Sequence, residues 1–488
     1  MRKHELWMLL LTVCLLLTVT GALWLTAPWD SGVKPDILFE GADQIYEVDG
    51  QTIRVTEAEQ TVHRGRLLLR GWRLWGGNSC VMGSLYTEKR TFRRQAIWQS
   101  ETAQKELTIR WFDGTQWQTE PLREGRFKGG TAYFLSGEGY SALCYVPQIW
   151  SLLENGARKL LPDNLGWLQA KETESGWHLA VYAPAMPDSC AADFTYIEGP
   201  DELINWNKEG QADLWSNYCN AGTGRWCYDG YYFVSPDSYL PEGENVYYKN
   251  AASYMIKSFL YQRSTPVARV LAVCMMDTTL RNQNEIGYWP TNSLSTWLRD
   301  DYGIGAGFYD TRFNTDFIEL LIYAQDYYPS SIYRDAMERY CEFYKWFAQT
   351  YHKETASGGW LIPDYWHKEM TSIPHTSLNH QLAECLRLYE MADRLGQSEL
   401  RELADKLLLA VEDTGEGWIR PDHNLHYSVT QDGVFGGNDY PYLTYNDLFG
   451  LQSYLVRRFG QSNNMLETLM AHKKIWMDAN GITEYRKS

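Results

Sequence analysis

The period of the hydrophobic pattern changes near Pro200, and this switch confines the chain to folds that join a β part to an α part. Between Ile37 and Tyr196, apolar residues alternate in short runs at 51–56, 65–71, 107–112, 132–135 and 177–182, with Gly, Asp and Asn between them. Period-two runs punctuated by turn residues predict an all-β domain, a sandwich or an open barrel, over 35–198. Beyond Pro200 comes a Gly- and aromatic-rich stretch (217–232). Apolar residues then recur every three or four positions over 313–328, 332–352, 376–395, 398–412, 444–459 and 464–477. These helices fall in pairs with short connections. Paired antiparallel helices with Gly-, Trp- and Tyr-rich loops predict an α/α toroid of the six-hairpin kind over 199–488, whose inner helices form a funnel and whose loops line a cleft. The fold class is therefore α+β, multidomain.

Ahead of both parts, Arg2 and Lys3 precede an uncharged, mostly apolar run from Leu6 to Leu25. About 20 such residues span a bilayer, and flanking basic residues stay inside. This predicts a signal-anchor over 1–27, a single pass through the cell membrane and an extracytoplasmic body. A cleaved signal peptide is the alternative, with Thr20, Gly21 and Ala22 as small residues for cleavage.

A chain of 488 residues, 44% hydrophobic, can bury a large core, and a formal charge of −16 argues against nucleic acid as a partner. Twenty-one Trp and 34 Tyr suit either a sugar-binding groove or aromatic packing. The nine cysteines have no metal-ligand spacing, and no nucleotide loop, zincin motif or nucleophile elbow occurs, so neither a metal nor a cofactor is expected. Cys219 and Cys227 are the nearest pair for a disulfide. Cys274, Cys341 and Cys385 lie in apolar periodicity and read as buried thiols.

Several short motifs follow one another in the second half. They are Trp289-Pro290, Gly307-Phe-Tyr309, Ser377-Leu-Asn379, Asp413-Thr-Gly-Glu-Gly-Trp-Ile419 and Asn438-Asp-Tyr-Pro-Tyr-Leu-Thr-Tyr-Asn-Asp-Leu448. In order and spacing, the region 287–477 resembles the carboxy-terminal domain of the D-glucuronyl C5-epimerases. The resemblance implies a uronic-acid polysaccharide as substrate and inversion at C5. That reaction needs acid/base groups on both faces of the sugar and cations at its carboxylate. Tyr440 falls on the family's Asp-Tyr tyrosine and is the first catalytic candidate, with Asp439, Asn446 and Leu448 in step. A second family tyrosine is replaced by Arg420, which stays protonated and can only clamp a carboxylate. The family's Glu-Tyr pair is also missing, which leaves Tyr365 or Glu369 for the second face.

Arg312, Asn379, His375 and Asn446 are candidate substrate-binding residues, and Trp289, Trp360 and Trp366 are candidate stacking platforms. For each there is a plainer reading: Asp310 and Thr311 suit a helix cap, His375, Asn379 and His380 suit capping and packing, and the tryptophans suit loop anchors. A lyase would use the same C5 proton. A hydrolase usually needs paired carboxylates, and only Glu369, Glu384 and scattered acids are on offer. A non-catalytic, tethered glycan-binding or assembly protein is the alternative from another class. A homodimer or partners from polysaccharide biosynthesis stay open.

Overall fold

The structure is a computed structural model that describes residues 44–486, apart from 92, 221–223, 253 and 263–264. It is an α+β fold with one large antiparallel sheet and, among the described residues, ten α-helices.

The large sheet has 13 strands. Its main path runs Gln44–Val48, Gln51–Val62, Gly65–Arg73, Ser79–Thr87, Cys190–Gly199, Tyr140–Leu152, Arg158–Leu165, Val246–Lys249, Gly230–Val234 and Gly224–Cys227. A smaller sheet of four strands (Gln95–Thr102, Gly176–Ala183, Trp167–Thr173, Gly125–Lys128) packs on one face. Alternation along each strand divides the two cores, since successive side chains point to opposite faces. Val81 and Tyr196 join Leu67, Leu69, Trp98, Leu168 and Val181 in the sandwich. Their neighbours Cys80, Met82 and Ile197 join Trp72 and the helices on the other face. The β-sandwich expected from sequence is thus present, but the sheet continues past residue 198. The three strands between 224 and 249 extend it beyond Arg158–Leu165. A buried charge network fastens them: Arg158 donates to Asp193 (2.7 Å) and Asp229 (2.8 Å), and Lys249 reaches Asp229 at 2.6 Å.

The helices are α1 (Gln211–Asn220), α2 (Tyr254–Tyr261), α3 (Pro266–Leu280), α4 (Thr296–Tyr302), α5 (Thr311–Tyr327), α6 (Ser331–Tyr351), α7 (Leu378–Leu395), α8 (Ser398–Thr414), α9 (Leu443–Phe459) and α10 (Asn464–Ala479). Four hairpins, α2/α3, α5/α6, α7/α8 and α9/α10, form a double layer whose inner row runs α2, α5, α7, α9. This is a helical funnel of four hairpins among the described residues, where a six-hairpin toroid was expected. Helix α3 escaped the sequence reading because every residue from Val267 to Leu280 except Arg269 is buried. A helix that is apolar all round carries no amphipathic stripe. Glycine in the left-handed region ends α4, α7 and α9 (Gly303, Gly396, Gly460), where a Cβ would be strained.

Sheet and helices meet through polar contacts as well as apolar ones. Trp72 donates its indole N–H to Asp277 of α3 at 3.0 Å, and Arg281 donates to the same carboxylate. We expect Asp277→Ala to lower stability by about 2 kcal/mol, because it leaves a buried indole N–H without an acceptor. A urea midpoint unchanged from wild type would refute this.

Two expectations are corrected here. Among the described residues, no helix is long and apolar enough to cross a membrane. That finding conflicts with the single-pass placement, and the segment 1–27 that suggested it and the membrane partner lies outside the described residues. Cys219 and Cys227 are both buried free thiols, with Cys227 packed among Trp150, Tyr232 and Tyr247, so no disulfide joins them.

Candidate active site

All four inner helices begin at one cavity of about 500 Å³, within the usual range for small-ligand sites. Tyr254 and Lys257 come from α2, and Arg312, Phe313, Asp316 and Glu319 from α5. Asn379, His380 and Arg387 come from α7, and Asn446 and Asp447 from α9. Short sheets at the mouth supply the rest. Tyr309–Asp310 pairs with Tyr365–Trp366, which sets Asp310 opposite Tyr365. Thr376–Ser377 pairs with the strand carrying Tyr427, whose other edge leads into Tyr440. The Tyr427 and Tyr440 rings meet edge on at 5.8 Å.

The cavity balances four carboxyls (Asp310, Asp316, Glu319, Asp447) against four cations (Lys257, Arg312, Arg387, Arg486). Three cations are already engaged. Arg312 lies 3.1 Å from Asp316 and 2.7 Å from Asp447. Lys257 lies 3.2 Å from Glu319, while Arg387 approaches Glu319 at 3.7 Å and pairs with Glu390. Burial pushes the Asp447 carboxyl up to about 6 against the pull of Arg312.

Asp310 differs from the other three carboxyls. It caps α5 by accepting from the Phe313 N–H at 3.0 Å, as the sequence suggested, and no cation pairs with it among the described residues. Burial pushes its carboxyl up to about 7, past the opposing pull of two backbone N–H groups. It is therefore a proton donor poised near neutrality. The tyrosines move the other way from useful bases. Burial holds Tyr365 well above the ordinary phenol value, pushes Tyr427 to the same side and raises Tyr440.

Of the residues picked from sequence, the cavity gathers Tyr440, Tyr365, Arg312, Asn379 and Asn446. The others lie elsewhere. His375 sits behind the wall, bonded to the Tyr302 hydroxyl (2.9 Å) and 3.3 Å from Asp364. Arg420 is spent on Asn438 (2.6 Å), the Gly437 carbonyl and Asp422, so it ties down the hairpin before Tyr440 and does not line the cavity. Glu369 is exposed near His367.

None of the three tryptophans is a platform in this cavity. Trp289 is buried and held by Asn314, which accepts from its backbone N–H (2.8 Å) and donates to its carbonyl (2.9 Å). Trp360 stacks on His352 at 3.8 Å under Lys406. Trp366 packs among Tyr288, Phe343 and Trp346. Each is a structural anchor because its ring faces are already covered.

Asp316, Glu319, Asp447, Arg387, Tyr239, Tyr254 and Tyr427 were missed. Arg312, Asp316 and Glu319 are spaced i, i+4, i+7 on α5, a polar stripe that ordinarily faces water. Only the placement of α5 in the inner row turns this stripe toward a cavity.

No protein-family model matches this chain, and no curated protein matches it in sequence. Among solved structures it is similar to a family 76 glycoside hydrolase from a bovine Bacteroides thetaiotaomicron strain, at 10% identity and TM-score 0.38, over 82% of this chain and 75% of that one. It is also similar to a D-mannose isomerase (13% identity, TM-score 0.34, 47% and 61% covered). A third is the unsaturated glucuronyl hydrolase of Bacillus sp. GL1 (14% identity, TM-score 0.30, 47% and 66% covered). Likenesses this loose assign no function.

Proposed function

We propose that this protein is a saccharide-processing enzyme working by proton transfer in the funnel cavity, and that it cleaves a glycosidic bond. The observation that carries this reading is Asp310, a cavity carboxyl without a cation partner, pushed by burial to about 7. Such a group can protonate a leaving oxygen at neutral pH. Phe313 and the five tyrosines 239, 254, 365, 427 and 440 offer apolar ring faces and hydroxyl tips, a lining that suits pyranose rings. A neutral sugar is favoured because three of the four cavity cations, Lys257, Arg312 and Arg387, are already occupied by carboxylates.

The test is incubation with a panel of neutral oligosaccharides beside heparosan-like and alginate-like uronic polymers, in D₂O. New reducing ends from a neutral member are the expected result. A uronate C5-epimerase is the second reading, favoured by Tyr440 and Tyr365 lining the same cavity. It predicts deuterium at C5 without chain shortening, lost in Tyr440→Phe. Both phenols keep their protons at neutral pH, so this reaction would need another group as base. Binding without turnover of any member would refute the enzymatic reading and leave a glycan-binding protein.

A further inference from the structure

We propose that His380 is the proton acceptor of the cavity, held through Thr311 and Asp364 with its Nε2 free for a water or sugar hydroxyl, and that Asn379 beside it receives a second hydroxyl. This inference rests on the saccharide reading above and supplies the base that Asp310, as acid, requires.

The geometry begins at Nδ1. The Thr311 hydroxyl lies 2.5 Å from His380 Nδ1 and donates its one proton to the Asp364 carbonyl at 2.9 Å. The carboxylate of Asp364 stands 3.7 Å from the same nitrogen. Both neighbours ask Nδ1 for a proton, so the neutral ring carries it there and leaves Nε2 as the acceptor. No protein group bonds Nε2 among the described residues, and the ring lines the cavity at 6% exposure.

Asp364 is fully buried. It is gripped by the Ser377 N–H at 2.7 Å and by the Ser377 hydroxyl. Burial opposes its ionisation, but His380, His375 and Ser377 outweigh burial and hold the carboxyl below the usual range. The ring meets Arg312 and His375 electrostatically and Tyr365 at 5.9 Å. Burial, against Asp364, pushes its value down to about 4, so between about pH 4 and pH 7 a neutral His380 faces a cavity in which Asp310 still holds its proton. Asn379, one residue earlier and 1% exposed, also lines the cavity, and its Oδ1 has no partner among the described residues. A buried acceptor left without a donor is costly unless a ligand completes it.

In hydrolysis, Nε2 takes a proton from water as the water oxygen bonds to the anomeric carbon. The bond from that carbon to the leaving oxygen breaks, and the leaving oxygen takes the proton of Asp310. Solvent then returns one proton from His380 to Asp310.

Nitrogen-15 spectra of the histidine-labelled protein test the assignment without any substrate. At pH 7, His380 should show an unprotonated Nε2 and a protonated Nδ1, and Thr311→Val should disturb that tautomer. An imidazolium, or a proton on Nε2, overturns the proposal. With the substrate found in the panel above, His380→Gln should lower kcat about 100-fold with little change in KM, and added imidazole should restore part of the loss. Turnover undiminished in His380→Gln overturns the base role while leaving Asp310 as acid. A wild-type protein that cleaves no member of the panel and exchanges no C5 proton, with the tautomer as stated, instead removes the saccharide reading and the base role with it.

Discussion

Asp310→Asn is expected to lower turnover about a thousandfold, within the ~10²–10⁴ range that a positioned acid or base contributes. The substitution suits the question because asparagine caps a helix about as well as aspartate. The bond from the Phe313 N–H to residue 310, 3.0 Å in the present structure, can therefore persist. What disappears is the proton held to about pH 7 by burial. The wild-type rate should fall above that pH as Asp310 ionises, and this basic limb should vanish from the residual rate of the variant.

Stability should move in the opposite direction. The folded carboxyl titrates near 7 and the unfolded one near 3.9. Below pH ~4 both states hold the proton. From there to about 7 only the folded state holds it, so stability falls as pH rises, by about 4 kcal/mol in all. Asn removes that titration. Urea midpoints at pH 5 and pH 8 should show Asp310→Asn gaining on wild type as pH rises. A difference that does not change with pH would mean that Asp310 titrates normally and is not the acid.

The β and α parts were legible because each repeats its own period many times. The six amphipathic helices of α5 to α10 fall where the three- and four-residue spacing puts them. Helix α3 was invisible for the reason that makes it central: it has no solvated face. The strands between 224 and 249 were hidden differently. Four or five residues long, they take their place only by pairing with Arg158–Leu165 and with one another, and no local pattern announces a long-range partner.

At the site, the motifs that resemble the epimerases located the cavity wall through Tyr440, Asn379 and Asn446, but not its charges. Asp316, Glu319 and Asp447 read as surface residues until the inner row closes around them. The tryptophans misled because a Trp between helices looks the same in sequence whether it awaits a sugar or fills a gap. Neighbours distant in sequence decide it, such as Asn314 for Trp289 and His352 for Trp360.

The wall that carries Tyr440 depends on one buried lysine, and Lys473→Met is expected to lower stability by about 4 kcal/mol. Lys473, at 0% exposure, lies 2.6 Å from Asp439 and donates to Asn424 Oδ1 and to the Tyr440 carbonyl, both at 2.7 Å. One ammonium thus joins α10 to two loops, and the second of these sets the direction of Tyr440. Methionine fills similar space but strands the Asp439 carboxylate, whose remaining side-chain donor is the Thr444 hydroxyl at 2.5 Å. Leaving one member of a buried pair charged costs about 3–5 kcal/mol, whereas replacing both by apolar groups is often close to neutral. The double variant Lys473→Met with Asp439→Leu should therefore recover much of the loss, and the cycle of the two single variants and the double isolates their coupling. Tyr440 should lose its fixed position in both, because neither restores the donor to its carbonyl. Its ring signals should then broaden even where the urea midpoint recovers. A single variant within 1 kcal/mol of wild type, with the Tyr440 signals unchanged, would mean that Lys473 does not hold this wall.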